Sequence, residues 1–443
     1  MLKTFKIGGV HPAENKFSSG REIEALALPK TAFIPVGQHI GAPAAPVVKK
    51  GDKVKTGQVI AQSNGFVSVN IHSSVSGTVK KIDLIPDASG YAKQGIVIDV
   101  EGDEWLETID RSETLVNDFS FTGEEIIQKI KEAGIVGMGG ATFPTHVKLV
   151  PPKGMKAGLL IINGVECEPY LTSDHRLMLE KADEIVVGTR LLMKALNVEK
   201  AVIGIENNKP NAIRLLKEKV AAYPAISVTP LKVKYPQGGE KQLIKAVTGK
   251  EVPSGALPIA VGCVVSNVGT AFAVYEAVQK NKPLFERVVT VTGKSVKQPS
   301  NFKVRIGTPA SELVEAAGGL PDDTGKIISG GPMMGKAVTS LEVPVTKGTS
   351  GLLLVPGAEA RRDGRMACIR CSRCVTACPM GLEPYLLMTV SEKQIWERAE
   401  KERVMDCIEC GSCSYTCPSS RPLLDYIRLG KGKVGQIIRS RKN

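Results

Sequence analysis

Cys368-x2-Cys371-x2-Cys374-x3-Cys378-Pro379 recurs as Cys407-x2-Cys410-x2-Cys413-x3-Cys417-Pro418, so eight of the ten cysteines stand in two copies of one spacing. Three closely spaced thiolates hold one face of an iron–sulfur cubane, and the fourth, after which proline turns the chain away, reaches across to a second cluster. The expected ligand sets are Cys368, Cys371, Cys374 with Cys417, and Cys407, Cys410, Cys413 with Cys378. Each set would hold a [4Fe–4S] cluster, and the pair would form a single-electron relay. Two zinc sites would use similar C-x2-C steps, but two full copies ending in Cys-Pro argue against zinc. Leu386 to Met405 is long enough for two helices, so shared ligation requires those helices to fold back antiparallel. Cys167 and Cys263 lie outside the pattern, beside expected strands, and read as packed thiols.

The rest of the 443-residue chain has room for further domains. Apolar residues make up 42% and charged residues 23%, an ordinary globular balance, and the net charge is +13. Aromatic residues at 5%, with 2 Trp, offer no stacking platform for single strands, so nucleic acid is not an expected partner despite the charge. The basic tail from Lys431 to Lys442, with Arg439 and Arg441, suits a membrane surface, although a merely soluble basic protein would carry the same balance. Met1-Leu2-Lys3-Thr4-Phe5 does not open a signal peptide. The run Gly255 to Tyr275, interrupted by Pro258, Ser266, Asn267 and Thr270, reads as strand, loop and helix rather than a membrane span. Any membrane attachment is therefore expected to be peripheral.

The expected fold class is multidomain α/β. Residues 1–115 alternate in short β runs, and Val47 to Ile60 with His72 to Val79 resemble the two halves of a biotinyl/lipoyl-type barrel-sandwich. Its hairpin tip, Asn64 to Asn70, offers no lysine for a carrier role, which leaves a structural module that docks on a neighbour. Residues 116–284 alternate helices with apolar strands: helices Gly123–Ala133, Ala182–Leu196, Asn211–Ala222 and Ala271–Gln279, strands Gly158–Ile162, Ala201–Ile205, Ile226–Val233 and Ile259–Val265. That pattern predicts a Rossmann-like parallel sheet with ligands at the carboxyl ends of its strands. Residues 285–347 return to β patterns around a helix near Ala310–Ala317, as in a β-grasp insert. Residues 348–443 begin with a linker and hold the cysteine segment and basic tail.

Gly134-Ile135-Val136-Gly137-Met138-Gly139-Gly140-Ala141-Thr142-Phe143-Pro144-Thr145-His146-Val147-Lys148 is the other chemical signal. Its glycines would let a flat ring or phosphate approach the backbone, and Lys148 could reach an anion. It is neither a Walker A loop nor a dinucleotide fingerprint. The loop resembles the flavin and NADH loop of the flavoprotein subunit of respiratory NADH dehydrogenases, and more closely that of the C subunit of the Rnf electron transport complex. Gly8-Gly9-Val10-His11-Pro12-Ala13-Glu14-Asn15-Lys16, Asn163-Gly164-Val165-Glu166-Cys167-Glu168-Pro169, Tyr235-Pro236-Gln237-Gly238-Gly239-Glu240 and Val265-Ser266-Asn267-Val268-Gly269-Thr270 extend the likeness over nearly the whole chain. With it come a soluble-ligand-binding type of β-grasp insert and a helical, bacterial-ferredoxin-like 2[4Fe–4S] domain.

The resemblance implies FMN beside Gly137, Gly139, Gly140 and Lys148, with phosphate and ribitol contacts at Asn163, Ser266 and Asn267. Glu168 would stand beside the nicotinamide of NAD(H), and Tyr235, Gly238 and Glu240 in a loop lining flavin and nucleotide. The pattern departs from the respiratory subunit in having Gly239 before Glu240 and Ser266 before Asn267. No catalytic acid or base is implied, and His146 and His175 read as structural. The family is a peripheral subunit on the cytoplasmic face of the cell membrane, in a ferredoxin:NAD oxidoreductase that other subunits couple to Na⁺ or H⁺ translocation. Its implied partners are the integral membrane and iron–sulfur subunits, with ferredoxin reached through a partner. Two rivals share features with it: the flavin/iron–sulfur cobalamin reductase of propanediol microcompartments, which carries its barrel-sandwich segment late rather than first, and a non-enzymatic iron–sulfur adaptor.

Overall fold

A computed structural model describes residues 2–441; Lys442, counted in the expected basic tail, lies outside them. Strands Leu159–Asn163, Ala201–Glu206, Ile226–Leu231 and Cys263–Asn267 form an all-parallel sheet in which Leu159–Asn163 pairs with both Ala201–Glu206 and Cys263–Asn267. Their near-continuous apolar runs suit a sheet covered on both faces. Leu160 and Ile162 face one core with helices Gly123–Glu132, Ala182–Leu196 and Val268–Gln279, while Ile161 and Val265 face another with helix Glu240–Thr248. Thr122 and Glu125 close a reciprocal capping box at the start of the first of these helices. The expected strand Ile259–Val265 starts later than its sequence suggested. Pro258–Val261 is a 3₁₀ turn ended by Gly262 at φ +74°, so extended backbone begins only at Cys263.

Two small sheets share the N-terminal core of Ala32, Ile34, Ile60, Ile71, Ile96 and Ile98. One contains Thr31–Pro35, Lys93–Val100, Gly77–Ile85 and Lys53–Val54, the other Ala45–Pro46, Val59–Gln62 and Ile71–His72. The hairpin tip ends against the parallel-sheet domain, where the Asn70 amide donates to Glu132 O at 3.3 Å. Beside it the fully buried Lys347 Nζ donates to Asn70 O and Gly134 O, so one side chain ties three domains together.

The β-grasp sheet is larger than its sequence implied. It runs in the order Ile23–Ala25, Ser300–Arg305, Glu286–Thr292, Gly351–Pro356, Thr324–Ser329 and Lys336–Val338. Gly351–Pro356, read as linker, lies parallel to Glu286–Thr292 and antiparallel to Thr324–Ser329. Ile23–Ala25, assigned to the N-terminal module, pairs with Ser300–Arg305. Both segments find their partners through pairing distant in sequence, which short local patterns do not report.

In the C-terminal domain, Pro384–Glu392 and Trp396–Lys401 fill the spacer between the cysteine copies and pack on the terminal helix Leu423–Ser440. A Cβ on Gly430 would collide with Ser391, so glycine permits this close approach. The terminal helix is amphipathic, with Leu423, Ile427 and Val434 in the domain core. Part of its positive charge is paired within the domain: Arg428 and Lys431 both pair with Glu409, and just past its end Arg441 pairs with Glu400. Among the described residues, no helix is long and apolar enough to cross a membrane.

Candidate functional site

At the carboxyl ends of the parallel strands, Asn163 and Asn267 stand in register on neighbouring strands, with Ser266 beside them. Asn267 caps helix Val268–Gln279 by accepting from Gly269 N–H, and its amide donates to Asp174. The glycine-rich loop packs directly above: Gly137 N–H bonds to Phe143 O, Met138 N–H to the Thr270 hydroxyl, and a Cβ on Gly139 would touch Asn267. Gly140, at φ +114°, opens on empty space. Lys148 Nζ reaches back to Glu240 Oε1 at 2.8 Å and Val265 O at 2.9 Å. The Asn163 amide donates to Gly238 O, fixing the Tyr235–Glu240 loop across the strand ends. Gly137, Gly139, Gly140, Lys148, Asn163, Gly238, Glu240, Ser266 and Asn267 thus gather around one end of the sheet. A cleft of about 670 Å³ lies at the opposite strand ends near Gly158 and Gly262, and none of these residues lines it.

Glu168 and Tyr235 make hydrogen bonds to other parts of the chain. The Glu168 carboxylate accepts from Met333 N–H, Met334 N–H and the Tyr235 hydroxyl, and so grips a hairpin of the β-grasp domain. Burial, only partly offset by those donors, lifts its carboxyl to about 7. The buried Tyr235 hydroxyl also donates to Cys410 O at 2.8 Å. Cys167, a thiol expected only to pack, accepts from Gly238 N–H, and burial pushes its pKa up. Cys263 is buried in the core beneath the sheet. His175 bonds Asn211, while His146 is buried at the foot of the glycine loop.

Cys378, Cys407, Cys410 and Cys413 line one narrow cavity whose walls include Leu382, Leu387, Ile408, Leu424 and Ile427. Leu382 N–H points at the Cys378 sulfur and Glu409 N–H at that of Cys407, both at 3.4 Å. Burial pushes the Cys407 thiol up to about 11 and the Cys413 thiol up to about 12, with neighbouring cysteines adding to it. The other four are more open. Cys368 and Cys371 are exposed, Cys374 and Cys417 half-buried. Burial, with the nearby Cys417 as a lesser cause, raises the Cys374 thiol.

The N-terminal segment laces the two regions together. Gly9 N–H bonds to Ala377 O, Val10 pairs with Tyr235, and a Cβ on Gly8 would strike the Cys378 carbonyl. Sequence reading missed this strap; the Gly8-Gly9 pair was its local signal, but its partners lie at the far end of the chain.

Four family models match in chain order: a barrel-sandwich hybrid domain of the RnfC type over residues 3–103, a Nuo51 FMN-binding domain over 130–276, an SLBB domain over 288–337 and a 4Fe-4S dicluster domain over 361–418. The C subunit of the proton-translocating ferredoxin:NAD(+) oxidoreductase complex of Clostridium ljungdahlii is 49% identical, over 98% of this chain and 94% of that one. The C subunit of the Na(+)-translocating complex of Acetobacterium woodii is 45% identical over 97% of each chain. The chain belongs to the RnfC family. An NAD+-reducing [NiFe]-hydrogenase chain superposes with a TM-score of 0.49 at 19% identity, over 70% of this chain and 62% of that one.

FMN and two [4Fe–4S] clusters are the cofactors of these domain types, and the residues at the glycine loop and at the Cys378 cavity fit a flavin and a cluster. Open space over Gly140 and the glycine backbone of the loop leave room for a flat ring, and Lys148 and the amides of Asn163 and Asn267 stand at the same strand ends. The Cys378 cavity is apolar, and backbone N–H groups already aim at its sulfurs, as a thiolate-held cluster requires.

Proposed function

We propose that this chain transfers electrons between NAD(H), FMN and two [4Fe–4S] clusters as the peripheral, cytoplasmic-face subunit of a membrane-bound ferredoxin:NAD oxidoreductase. Other subunits would carry the coupled Na⁺ or H⁺ translocation. In this reading Gly137, Gly139, Gly140 and Lys148 cradle the flavin, and Asn163, Ser266 and Asn267 orient its ribitol phosphate. Gly238 and Glu240 border the nucleotide side. Cys378 joins Cys407, Cys410 and Cys413 on one cluster, and Cys417 joins Cys368, Cys371 and Cys374 on the other. Residues 1–115, 116–284, 285–347 and 348–443 act as docking module, flavin domain, β-grasp and relay, with Gly351–Pro356 and Ile23–Ala25 added to the β-grasp sheet.

Bound FMN supplies the conversion of a two-electron hydride into single electrons that iron–sulfur centres carry. The chain's own residues hold the two ends of that transfer at fixed separation. The observation that carries the reading is the Tyr235 hydrogen bond to Cys410 O, because Tyr235 belongs to the loop that Asn163 anchors across the flavin end of the sheet. Glu168 and Tyr235 are thereby given a joining role between domains. Reconstituted protein should contain one flavin and two clusters per chain and reduce a dye with NADH only when FMN is bound. Full activity in flavin-free protein would overturn the mechanism.

A further inference from the structure

The cleft at the amino-terminal ends of the parallel strands, about 670 Å³, falls within the roughly 300–1,000 Å³ typical of small-molecule sites. Its lining is of two kinds. Leu159 and Val202 supply apolar surface from the sheet, whereas Lys3, Lys156 and Lys250 bring ammonium groups from three separate segments of the chain. Ser227, on the edge strand Ile226–Leu231, adds a hydroxyl. Among the described residues no carboxylate lines the cleft.

Backbone carbonyls fix where the cations stand. Lys3 Nζ donates to Val247 O at 3.1 Å, in the last turn of helix Glu240–Thr248, and Lys250 Nζ donates to Val261 O at 3.0 Å, just before strand Cys263–Asn267. Val247 and Gly262 both line the cleft, so these two ammonium groups lie at its walls. The Lys156 backbone is beside Gly262, whose Cβ would lie 3.9 Å from Lys156 O. Each ammonium keeps N–H donors to spare after one such bond. The three lysines form no ion pair among the described residues; Glu251, next to Lys250, turns to Lys245 instead. Their field reaches the floor, since burial raises the Cys263 thiol while the Lys250 charge pulls it back. A concave wall of one sign concentrates a counter-ion.

We propose that this cleft binds a small organic phosphate, its phosphate held by Lys3, Lys156 and Lys250 and its apolar body resting on Leu159 and Val202. Cations from three segments suit a phosphate, whose terminal oxygens can each accept a charge-assisted hydrogen bond, better than a carboxylate with only two oxygens. The site is separate from the flavin cradle. Strands Leu159–Asn163 and Cys263–Asn267 begin at the cleft and end at Asn163 and Asn267, so the two sites occupy opposite ends of the same strands. No electron or bond changes hands in the cleft, and the proposal does not depend on the redox reading.

The test uses holoprotein, so that the flavin cradle is filled, with 1-naphthyl phosphate as a fluorescent probe. The probe should bind once per chain, more tightly than neutral 1-naphthol, and less tightly as salt rises. In Lys3→Gln/Lys250→Gln its affinity should fall roughly tenfold. Those lysines also hold backbone carbonyls, so a second variant leaves the charges alone: Ser227→Trp fills the cleft from an exposed edge-strand position and should weaken binding by a similar factor. Thermal unfolding checks that both variants fold. Lys217→Gln/Lys433→Gln, at exposed positions outside the cleft, should bind like the parent protein. Unchanged affinity in either cleft variant overturns the proposal. Equal binding of 1-naphthol also overturns it, as does an equal loss in the Lys217/Lys433 variant, which would trace the binding to the net charge of the chain. Binding of polyglutamate without 1-naphthyl phosphate would overturn it and assign the cleft to an acidic protein segment.

Discussion

The two cysteine copies share a spacing and a backbone, yet one is wrapped by the flavin domain, the β-grasp hairpin and the terminal helix, and the other faces solvent. What differs is the neighbourhood each copy is given: Glu409 pairs with two cations where Arg370 has no ion pair among the described residues, and Gly411 makes room for the Met333 carbonyl. Burial and hydrogen bonds to sulfur are main determinants of cluster potential. The two clusters of this relay should therefore titrate at separate potentials despite identical ligand spacing.

The sharpest way to break that contrast is to remove one thiolate from each copy. Cys410→Ala should lower iron content by about half and cut NADH-driven reduction of outside acceptors by roughly a hundredfold or more, because the link nearest the flavin is lost. Cys371→Ala should also lose iron but leave the buried cluster reducible by NADH. Electron paramagnetic resonance of the NADH-reduced variants separates the two cases. Equal loss of the buried signal in both would dissolve the distinction.

A smaller effect is expected at the joint itself. Tyr235→Phe deletes the donor to Cys410 O and Glu168, leaving buried acceptors short of a partner, at a cost of about 1–3 kcal/mol in denaturant unfolding of the C-terminal domain. A value near zero would mean that the other contacts across the joint, the Gly8-Gly9 strap and Gln242 to Pro379 O among them, hold the domains together without it.

Glu168 sharpens the comparison through pH. Its carboxyl stands at about 7 in the folded chain, against 4.5 for an unshielded glutamate, with burial the main cause. Between those values the folded chain keeps a proton that the unfolded chain has released. This carboxyl's contribution to stability therefore falls as pH rises through that window and levels off above it. Glu168→Gln should flatten that part of a stability profile measured from pH 4.5 to 8, and an unchanged slope would remove Glu168 as its source. The least effect belongs to the open copy: Arg362→Ala, losing an exposed pair with Asp425, should shift stability by about 0.5 kcal/mol or less.

Much of this was legible beforehand because it is local. Helix Ala182–Leu196 has the bounds its apolar period gives, and the cysteine copies and glycine loop declare their chemistry by spacing. Gly351–Pro356 was hidden by the Gly-Thr-Ser-Gly run before it, and Ile23–Ala25 is a three-residue edge strand with two exposed side chains. At the site, the residues around the glycine loop were readable as a group. The hydrogen-bond partners of Glu168 and Tyr235 were not, because a hairpin at Met333 and a carbonyl at Cys410 are linked to them by no local pattern.

The Gly8-Gly9 strap carries a further consequence, for biosynthesis. Gly8 and Gly9 cannot take their seat on Ala377 and Cys378 until the long stretch between them has been made. Closing so long a loop is slow, so the flavin domain must wait, folded but unlatched, for the cysteine segment. Pulse-labelled nascent chains should accordingly stay protease-sensitive around Gly8-Gly9 until the cysteine segment emerges, which makes the latch a natural marker of its docking.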